Sequence, residues 1–502
     1  MFSLIELKNA TICEIYFNEN KVDINQTIKE QIEIDDFVKT QIGYPEFKEI
    51  EKTALIKCIE VNNYDFLKFL ITRENNIDLY KNDINPLFYS IQQNTPEIAQ
   101  LLLTLKDIDI NIETTNEFKK SISKYVERQD LNRILETKGK RMRTPLSYAI
   151  EKNNSDIAKL LIARNEIDVN YLCKCDYDEN TGYAHRSSYD YTKSYLFLAV
   201  ENENVEIVHS LLSKSNIDIN CESSYDIFKY FHRIRNSLRW NDKYKKTALF
   251  LAVEKENFEI VKLLLSNENV DVNCSCSFEY DPEHHIKEEQ TPLLMAVSKQ
   301  NIEIIGLLLS NNKIDVNCVG NYIDNYIGYE NETHYECSDE KLITALSIAI
   351  QNQNIEIIKL LLQKNIDMDK KLTYTNSKGK ICLNKENGQN VNQIIDEKTY
   401  LEIAIENENL EIVNLLLNNN NNKIDINLIS SKCNVKKKYK NKIIQLNKKE
   451  KNALIVCIEK DKVNLLKILL ERKDLNVNAI TCNTMKINDG FVVEKKCTRI
   501  VG

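Results

Sequence analysis

The sequence predicts an all-α repeat solenoid built from helix-turn-helix units that are joined by long β-hairpin or finger insertions. The first observation is a repeat: the stretch from Thr247 to Asn273, TALFLAVEKENFEIVKLLLSNENVDVN, recurs from Thr291 to Asn317 as TPLLMAVSKQNIEIIGLLLSNNKIDVN. The second is that apolar residues fall at helical spacing in two runs, separated by a short polar turn. The third is that the distance between copies varies, and nearly all the extra length follows the closing Asp-x-Asn.

Each unit begins with a residue that suits a helix N-cap, because its side-chain oxygen can accept a hydrogen bond from an unpaired N–H of the first turn. In three units the next residue is proline, at Pro86, Pro145 and Pro292, where the missing N–H is not needed. These caps predict nine units, beginning at Thr53, Asn85, Thr144, Ser194, Thr247, Thr291, Thr344, Thr399 and Asn452.

Asparagine recurs in the turn between the two helices of a unit. Because Asn tolerates positive φ better than other non-glycine residues, and the chain has only 10 Gly, Asn is expected to take the left-handed position at the helix end. The asparagines in question are Asn204, Asn257, Asn301, Asn354 and Asn409.

The unit resembles the ankyrin repeat, whose first helix starts with T-P-L-H-x-A. The matching residues are Thr144-Pro145-Leu146 with Ala149, and Thr291-Pro292-Leu293 with Ala296. The position of the family's histidine is occupied instead by Ser147, Phe197, Phe250, Leu294, Ser347 and Glu402, so the hydrogen bond of that histidine is lost. The resemblance implies ankyrin-type repeats with finger insertions at the edge of a concave face, and a protein that mediates protein–protein interactions as a scaffold or adaptor.

The repeat pattern predicts three segments. Residues 1–52 are interpreted as a degenerate N-terminal cap, residues 53–478 as about nine ankyrin-type repeats with long inter-repeat insertions, and residues 479–502 as a C-terminal cap or hairpin. Within the inserts, KLTYTNSKGKICLN (371–384) and MKINDGFVVEK (485–495) predict hairpins around Ser-Lys-Gly and Asn-Asp-Gly turns.

The inserts collect aromatic residues, including the only tryptophan. Tyr and Trp are favoured contact residues at protein interfaces, so the inserts are candidate partner-binding surfaces. The alternative is that these rings only pack the inserts against the repeats. The candidate partner-binding residues are Tyr183, Tyr189, Tyr191, Arg239, Trp240, Tyr244, Tyr326 and Tyr329.

Local charge suggests a second function class. The formal net charge of −8 gives the chain as a whole no attraction to an anionic partner. Residues 119–143 and 436–451 are nevertheless rich in Lys and Arg, whereas residues 330–340 are acidic. Alternating charge can select a protein partner by complementarity, and basic residues beside aromatics leave an RNA-binding solenoid as the alternative function.

The chain shows little that predicts catalysis. It lacks the phosphate-binding, dinucleotide, nucleophile-elbow and H-E-x-x-H motifs, so no enzyme activity and no cofactor are expected. Cys274-x-Cys276 with His284-His285 has the residue types of a zinc site but not the usual spacing, and no metal is expected. The absence of a signal-like N-terminus and of a long apolar run predicts a cytoplasmic protein with reduced thiols and no membrane span; a nuclear location and the oligomeric state are left open.

Overall fold

The computed structural model describes residues 2–20, 23, 25–33, 47–73, 77–79, 85–124, 133–180, 185–233, 236–280, 284–330, 333–380, 391–438, 442–477, 480–487 and 492–499. The chain divides into two units. Unit one comprises Met1–Glu117, Lys140–Lys174 and Lys193–Asp218, and unit two comprises Phe118–Gly139, Cys175–Thr192 and Ile219–Gly502.

Unit one contains five pairs of helices among its described residues, together with a two-stranded antiparallel sheet of β1 (Thr27–Glu33) and β2 (Phe47–Thr53). The helix pairs are α1 (Phe2–Glu6) with α2 (Ala10–Glu19), α3 (Ala54–Glu60) with α4 (Tyr64–Arg73), α5 (Pro86–Gln92) with α6 (Pro96–Leu102), α7 (Pro145–Glu151) with α8 (Ser155–Ala163), and α9 (Tyr195–Glu201) with α10 (Val205–Leu212).

Unit two contains five further pairs in its described part. They are α11 (Ala248–Glu254) with α12 (Phe258–Leu265), α13 (Pro292–Lys299) with α14 (Ile302–Ser310), α15 (Ala345–Gln351) with α16 (Ile355–Leu362), α17 (Tyr400–Glu406) with α18 (Leu410–Leu417), and α19 (Ala453–Glu459) with α20 (Val463–Leu470). Within this unit, each first helix packs on the first helix of the next pair. Apolar side chains of both helices of a pair, such as Leu249 and Ala252 of α11 and Leu264 of α12, are at most 1% exposed and form the core.

The nine predicted N-caps are confirmed. At each of these positions the side-chain oxygen accepts a hydrogen bond from a backbone N–H in the first turn of the helix that follows. At Thr144, Thr344 and Thr399 the third helical residue completes a capping box through Ser147, Ser347 and Glu402. Those three residues occupy the position of the family's histidine, so a reciprocal cap replaces its hydrogen bond there.

The prediction of positive φ at the turn asparagines is wrong. Asn257, for example, has φ −85°, and its Oδ1 accepts a hydrogen bond from the N–H of Ile260, so it is the N-cap of the second helix. Positive φ falls one residue earlier, as at Glu256 (φ 58°) and Glu408 (φ 59°). Asparagine stabilises the chain more at the N-cap than at the left-handed position. At the N-cap its side-chain oxygen accepts a hydrogen bond from a backbone N–H that would otherwise be unpaired.

The last asparagine of each Asp-x-Asn connects one helix pair to the next. Asn273 donates from Nδ2 to the carbonyl oxygen of Lys313 (2.8 Å), and its Oδ1 accepts from the N–H of Asp315 (2.8 Å). Asp271 holds the turn by accepting from the N–H of Asn273 at 2.9 Å. We call these side chains the exit asparagines; they are Asn111, Asn170, Asn220, Asn273, Asn317 and Asn427, and each makes both bonds.

The inserts of the chain form one sheet of 16 strands in chain order, each strand antiparallel to its neighbour wherever the register is resolved. Its strands are β3 (Thr114–Lys124), β4 (Arg133–Arg143), β5 (Leu172–Asn180), β6 (His185–Ser194), β7 (Ser223–Arg233), β8 (Asn236–Lys246), β9 (Cys276–Tyr280), β10 (His284–Gln290), β11 (Gly320–Glu330), β12 (Thr333–Ile343), β13 (Leu372–Lys380), β14 (Val391–Lys398), β15 (Ser430–Lys438), β16 (Lys442–Lys451), β17 (Ile480–Ile487) and β18 (Val492–Arg499).

This sheet overturns the predicted fold class. An all-α solenoid with long β-hairpin fingers is wrong, because the inserts do not remain separate hairpins: β8 pairs with β9 and β10 with β11, so that each insert pairs with the next. A lone two-stranded hairpin is marginal in water and leaves a row of unpaired N–H and C=O groups on each edge. Pairing the edges of successive inserts satisfies those groups. The hairpin turn predicted at Ser377-Lys378-Gly379 is also wrong, since these residues lie inside β13.

A partly buried ion pair joins the last residue of a strand to the last residue of the first helix that follows it. Lys246, the last residue of β8, contacts Glu254, the last residue of α11, at 2.7 Å, and these side chains are 13% and 29% exposed. The same spacing of eight residues gives Lys193 with Glu201 at 2.7 Å and Lys398 with Glu406 at 2.7 Å. Where the basic residue is replaced, the acid is replaced too, as in the sequence pairs Ile84/Gln92, Gln290/Ser298 and Ile343/Gln351. A single buried charge is costly, so the two positions change together.

Candidate functional site

One line of side chains crosses the sheet of unit two on a single face. Each member lies directly opposite the next on the neighbouring strand, which puts their Cβ atoms on the same side. We call it the transverse row; it consists of Tyr191, Tyr225, Tyr244, Phe278, Glu288, Tyr322, Lys341, Tyr374, Asp396, Lys432 and Lys449.

The first four members of the transverse row form an aromatic ladder. The ring centroids of Tyr191 and Tyr225 are 5.9 Å apart, and those of Tyr225 and Tyr244 are 4.5 Å apart and stacked. Phe278 is the fourth ring and is buried in the core, where its ring centroid lies 5.5 Å from that of Phe250 of α11. Tyr191, Tyr225 and Tyr244 are each half-buried, so their rings combine packing with exposed surface.

Two lysines lie on strands that lead into a first helix, two residues after a member of the row, and each places a positive charge over an aromatic ring of the row. The Nζ of Lys246 lies 5.0 Å from the ring centroids of both Tyr244 and Phe278, and that of Lys398 lies 5.2 Å from Tyr374. Lys246 also contacts the end of α11, and the phenol oxygen of Tyr374 accepts from Nε2 of Gln351 at the end of α15. The transverse row therefore lies on the side of the sheet that adjoins the C-terminal ends of the first helices.

The other half of the transverse row carries charges that are mostly paired. Asp396 contacts Lys451 at 2.9 Å and Lys432 at 3.8 Å, and Lys449 contacts Glu459 at 2.5 Å. Burial raises the pKa of Tyr374 and of Glu288 above their ordinary values. A shallow cavity of about 220 Å³ opens here between Lys341, Tyr374 and Asp396.

The opposite face differs in chemistry. Its equivalent row, displaced by one residue, begins Asp190, Asp226, Lys243, Glu279 and Lys287. Lys243 pairs with Asp226 at 2.6 Å and Lys287 with Glu279 at 2.7 Å, and these side chains are largely exposed. The aromatic ladder is therefore a property of one face, and the other face can serve as a control surface.

The eight candidate partner-binding residues fall into three groups. Tyr189 and Tyr191 lie on β6 and Tyr244 on β8, all three on one face, since residues two apart in a strand share a face and Tyr225 lies opposite both Tyr191 and Tyr244. Arg239 and Trp240 are in β8, opposite Tyr230 and Lys229, and Tyr326 and Tyr329 are in β11, opposite Cys337 and His334; only their strand positions are described. Tyr183 lies outside the described residues.

Four aromatic members of the transverse row are not among the eight candidates: Tyr225, Phe278, Tyr322 and Tyr374. The signal that could have found them is a fixed offset: Phe278 is five residues after the exit asparagine Asn273, and Tyr374 is five after Asp369 at the equivalent position. On the second strand of each insert, the member of the transverse row lies three residues before the N-cap of the following helix, as Tyr244 lies before Thr247.

The two thiols of Cys274-x-Cys276 contact each other and the first-helix cap. The Sγ of Cys274 lies 3.1 Å from the hydroxyl of Thr247. The hydrogen bond from Cys276 lowers the pKa of Cys274, and the same bond, with burial, raises the pKa of Cys276. Cys173 and Cys175 are buried and are not joined by a disulfide bond. The described residues contain no cluster of three or more Cys, His, Asp or Glu side chains with the geometry of a metal site; the side chains of His185, His284 and His285 are not part of that description.

The helices of the described part are short. The longest, α2 and α4, have 10 residues, and a bilayer-spanning helix was not found among them.

Comparison with known proteins agrees with the repeat pattern. No curated protein matches the chain. A family model described as ankyrin repeats (3 copies) matches residues 20–114, 119–223, 221–320, 276–372 and 323–430, which together cover most of the sequence. The residues matched include α3 to α18 and the Asp-x-Asn exits between them. The chain therefore belongs to the ankyrin repeat family.

Proposed function

We propose that this chain is a non-catalytic scaffold or adaptor that binds a protein partner through the transverse row of its sheet and the adjoining first-helix side of unit two. Ankyrin repeats generally mediate protein–protein interactions, which sets the class of function. The nine repeats proposed for residues 53–478 would supply the frame, and their inserts would supply the contact surface.

The observation that carries the proposal is the stack of Tyr191, Tyr225 and Tyr244. Rigid, half-exposed tyrosines side by side offer apolar area together with hydroxyl groups, at little cost in conformational entropy. Their mutual stacking orders them before any partner arrives, which reduces the entropy that binding has to overcome. The paired charges farther along the row, such as Asp396 with Lys451, would form a polar rim that aligns the partner.

The same contacts weigh against RNA as the partner. In the described part of the last basic insert, Lys448 contacts Glu450 at 3.1 Å, Lys449 contacts Glu459 at 2.5 Å and Lys451 contacts Asp396 at 2.9 Å. Phosphate binding would have to break these pairs, whereas nucleic-acid affinity comes from lysines and arginines that neutralise phosphates and so release the counterions condensed on the nucleic acid. A filter-binding titration with single-stranded RNA is expected to show no steep dependence on salt concentration.

The test is affinity capture with matched variants on the two faces. The double variant Tyr191→Ala with Tyr225→Ala should lose captured proteins that the original chain retains, because two neighbouring contact rings are removed. The control is Asp190→Ala with Lys243→Ala, on the opposite face of β6 and β8, which should retain them. A protein identified in this way would then be purified and its affinity measured by calorimetry against all three chains.

Thermal unfolding followed by circular dichroism separates binding from packing. The proposal requires the tyrosine variant to keep a melting profile close to the original while its affinity falls roughly tenfold or more. Loss of fold together with binding would assign the stack to packing alone, and equal losses of binding from the two faces would contradict the proposed binding surface.

A further inference from the structure

The side of the sheet that carries the transverse row, which we call the row face, has an excess of negative charge on strands β8 to β12. Among the described side chains of these strands, the charged ones on the row face are four carboxylates and two lysines: Asp242, Glu288, Asp324, Asp339, Lys246 and Lys341. The ammonium group of Lys246 is already neutralised by Glu254 at 2.7 Å. The row face of these strands is therefore acidic.

The opposite face of the same strands is balanced in charge. Its charged side chains, within the described part of these strands, are three lysines and three carboxylates: Lys243, Lys245, Lys287, Glu279, Glu289 and Glu340. Lys287 and Glu279 pair with each other at 2.7 Å. The negative excess is thus a property of the row face and not of the composition of the strands.

Three of the four carboxylates surround the ring of Tyr322. Glu288 lies directly opposite Tyr322 on β10. Asp324 follows Tyr322 by two residues on β11, and Asp339 lies opposite Asp324 on β12. Burial raises the pKa of Tyr322, and the negative charges of these three carboxylates raise it further. The half-buried phenol therefore lies in their combined negative field. We call Tyr322, Glu288, Asp324 and Asp339 the acidic patch.

The acidic patch contains an arrangement that is unfavourable for folding. Asp324 and Asp339 lie directly opposite each other, and like charges at opposite positions of neighbouring strands destabilise a sheet. Asp339 accepts a hydrogen bond from Nδ2 of Asn376, which stabilises this carboxylate but brings no positive charge. A cation supplied by a binding partner would offset the repulsion between the two carboxylates.

The aromatic rings of the row face favour the same kind of ligand as the carboxylates. The Nζ of Lys341 lies 5.6 Å from the ring centroid of Tyr322, and the Nζ of Lys246 lies 5.0 Å from that of Tyr244. A cation near the face of an aromatic ring is attracted by the ring's quadrupole. The chain's own lysines thus show that rings at these positions accept a positive group.

We propose that the acidic patch binds a basic segment of the partner, whose arginine or lysine side chains lie on Tyr322 and pair with Glu288 and Asp339. This inference rests on the proposed function and names the chemistry of the partner. Arginine suits the patch best, because its planar guanidinium stacks on an aromatic ring and can bind two carboxylate oxygens at once. Complementary charge also selects against acidic partners, which this face repels.

The test measures the binding of fluorescein-labelled nona-arginine and nona-glutamate peptides to the full-length chain by fluorescence anisotropy. The chain should bind nona-arginine and not nona-glutamate. The double variant Glu288→Gln with Asp339→Asn should weaken the binding of nona-arginine roughly tenfold or more, because two of the three charges around the ring are removed. Tyr322→Leu should weaken it roughly two- to fivefold, because the contact between cation and ring is lost.

The matched control is Glu289→Gln with Glu340→Gln. It removes the same number of charges from the neighbouring residues on the opposite face, and it should bind nona-arginine like the original chain. Circular dichroism checks that all variants fold. Equal weakening by the two double variants would assign the binding to overall charge and overturn the proposal. An original chain that binds neither peptide, or that binds nona-glutamate as well, would also overturn it.

The proposed function is judged by a separate result. A captured protein that is lost from Tyr191→Ala with Tyr225→Ala, but retained by Glu288→Gln with Asp339→Asn, would refute the basic segment and leave the scaffold function intact. A captured protein that both double variants lose, and that Glu289→Gln with Glu340→Gln retains, supports the two proposals together.

Discussion

The ion pair between Lys246 and Glu254 tests the reasoning about the frame most directly. The Nζ of Lys246 lies 2.9 and 2.7 Å from the two carboxylate oxygens of Glu254, and it also lies over the rings of Tyr244 and Phe278. Replacing Glu254 by Ser leaves a largely buried ammonium without its anion. Breaking a fully buried pair costs about 3–5 kcal/mol, and because both side chains keep some contact with water we expect about 2–3 kcal/mol.

The double variant Lys246→Gln with Glu254→Ser is expected to cost less than Glu254→Ser alone, about 1 kcal/mol, because no unpaired charge is left. It reproduces the residues that the chain carries naturally as Gln290 and Ser298. The converse control is Gln290→Lys, which by itself should lower the free energy of unfolding. Adding Ser298→Glu should restore that free energy.

Urea unfolding followed by circular dichroism measures these changes, with transition midpoints compared at equal slope. Repeat arrays lose cooperativity, so the comparison is made on the transition that shifts in Glu254→Ser. If the double variant cost as much as the sum of the two single variants, the pair would have no coupling energy and the explanation of the paired replacements would be wrong.

Four further predictions follow from single side chains. Burial raises the pKa of Glu402, so the folded state keeps the proton to a higher pH than the unfolded state does. The free energy of unfolding should therefore fall as the pH rises above the ordinary carboxyl pKa of about 4.3. Glu402→Gln should make the free energy of unfolding depend less on pH, as measured by urea titrations at several pH values. The thiol of Cys276 lowers the pKa of Cys274, so Cys276→Ala should slow alkylation of Cys274 by iodoacetamide at neutral pH, as read by mass spectrometry, and an unchanged rate would contradict this. Asp369 accepts a hydrogen bond at an exit position but cannot donate one, so Asp369→Asn should stabilise the chain by about 0.5–1.5 kcal/mol in the same unfolding assay. Leu264 is fully buried, and Leu264→Ala should cost about 2–5 kcal/mol, whereas an unaltered melting curve would refute the packing of α12.

Local signals in the sequence were sufficient for the helices. A cap such as Thr247, with a hydroxyl that bonds to Phe250 N–H three residues on, depends only on residues within one turn, so its position could be predicted. The turn before the second helix was placed one residue late, because Asn257 suits both the left-handed position and the N-cap. Only the hydrogen bond to Ile260 decides between the two roles.

The sheet could not be predicted in the same way. Pairing of β8 with β9 joins residues of different inserts, as Tyr244 opposite Phe278 shows, and its formation depends on how far apart the helix pairs hold those inserts. Alternation within one insert predicts a strand but contains no information about the next insert. The prediction of separate fingers failed for this reason. The binding role of Tyr189, Tyr191 and Tyr244 remains a prediction, and their placement on one face is what the structure adds.

The exit asparagines explain why an unlike set of inserts can still build one aligned row. Asn273 holds Asp315 of the following pair through its backbone, and Asn317 holds Asp367 in the same way, so successive strands leave the helices at equivalent points. Five residues later, Phe278 and Tyr322 therefore reach the transverse row although the inserts that contain them differ in length and composition. The hydrogen bonds at the cap and at the exit, which fix this frame, involve other positions than the row itself. Phe278 is part of the core through Phe250, whereas half-buried members such as Tyr225 can change what the surface binds with less effect on folding.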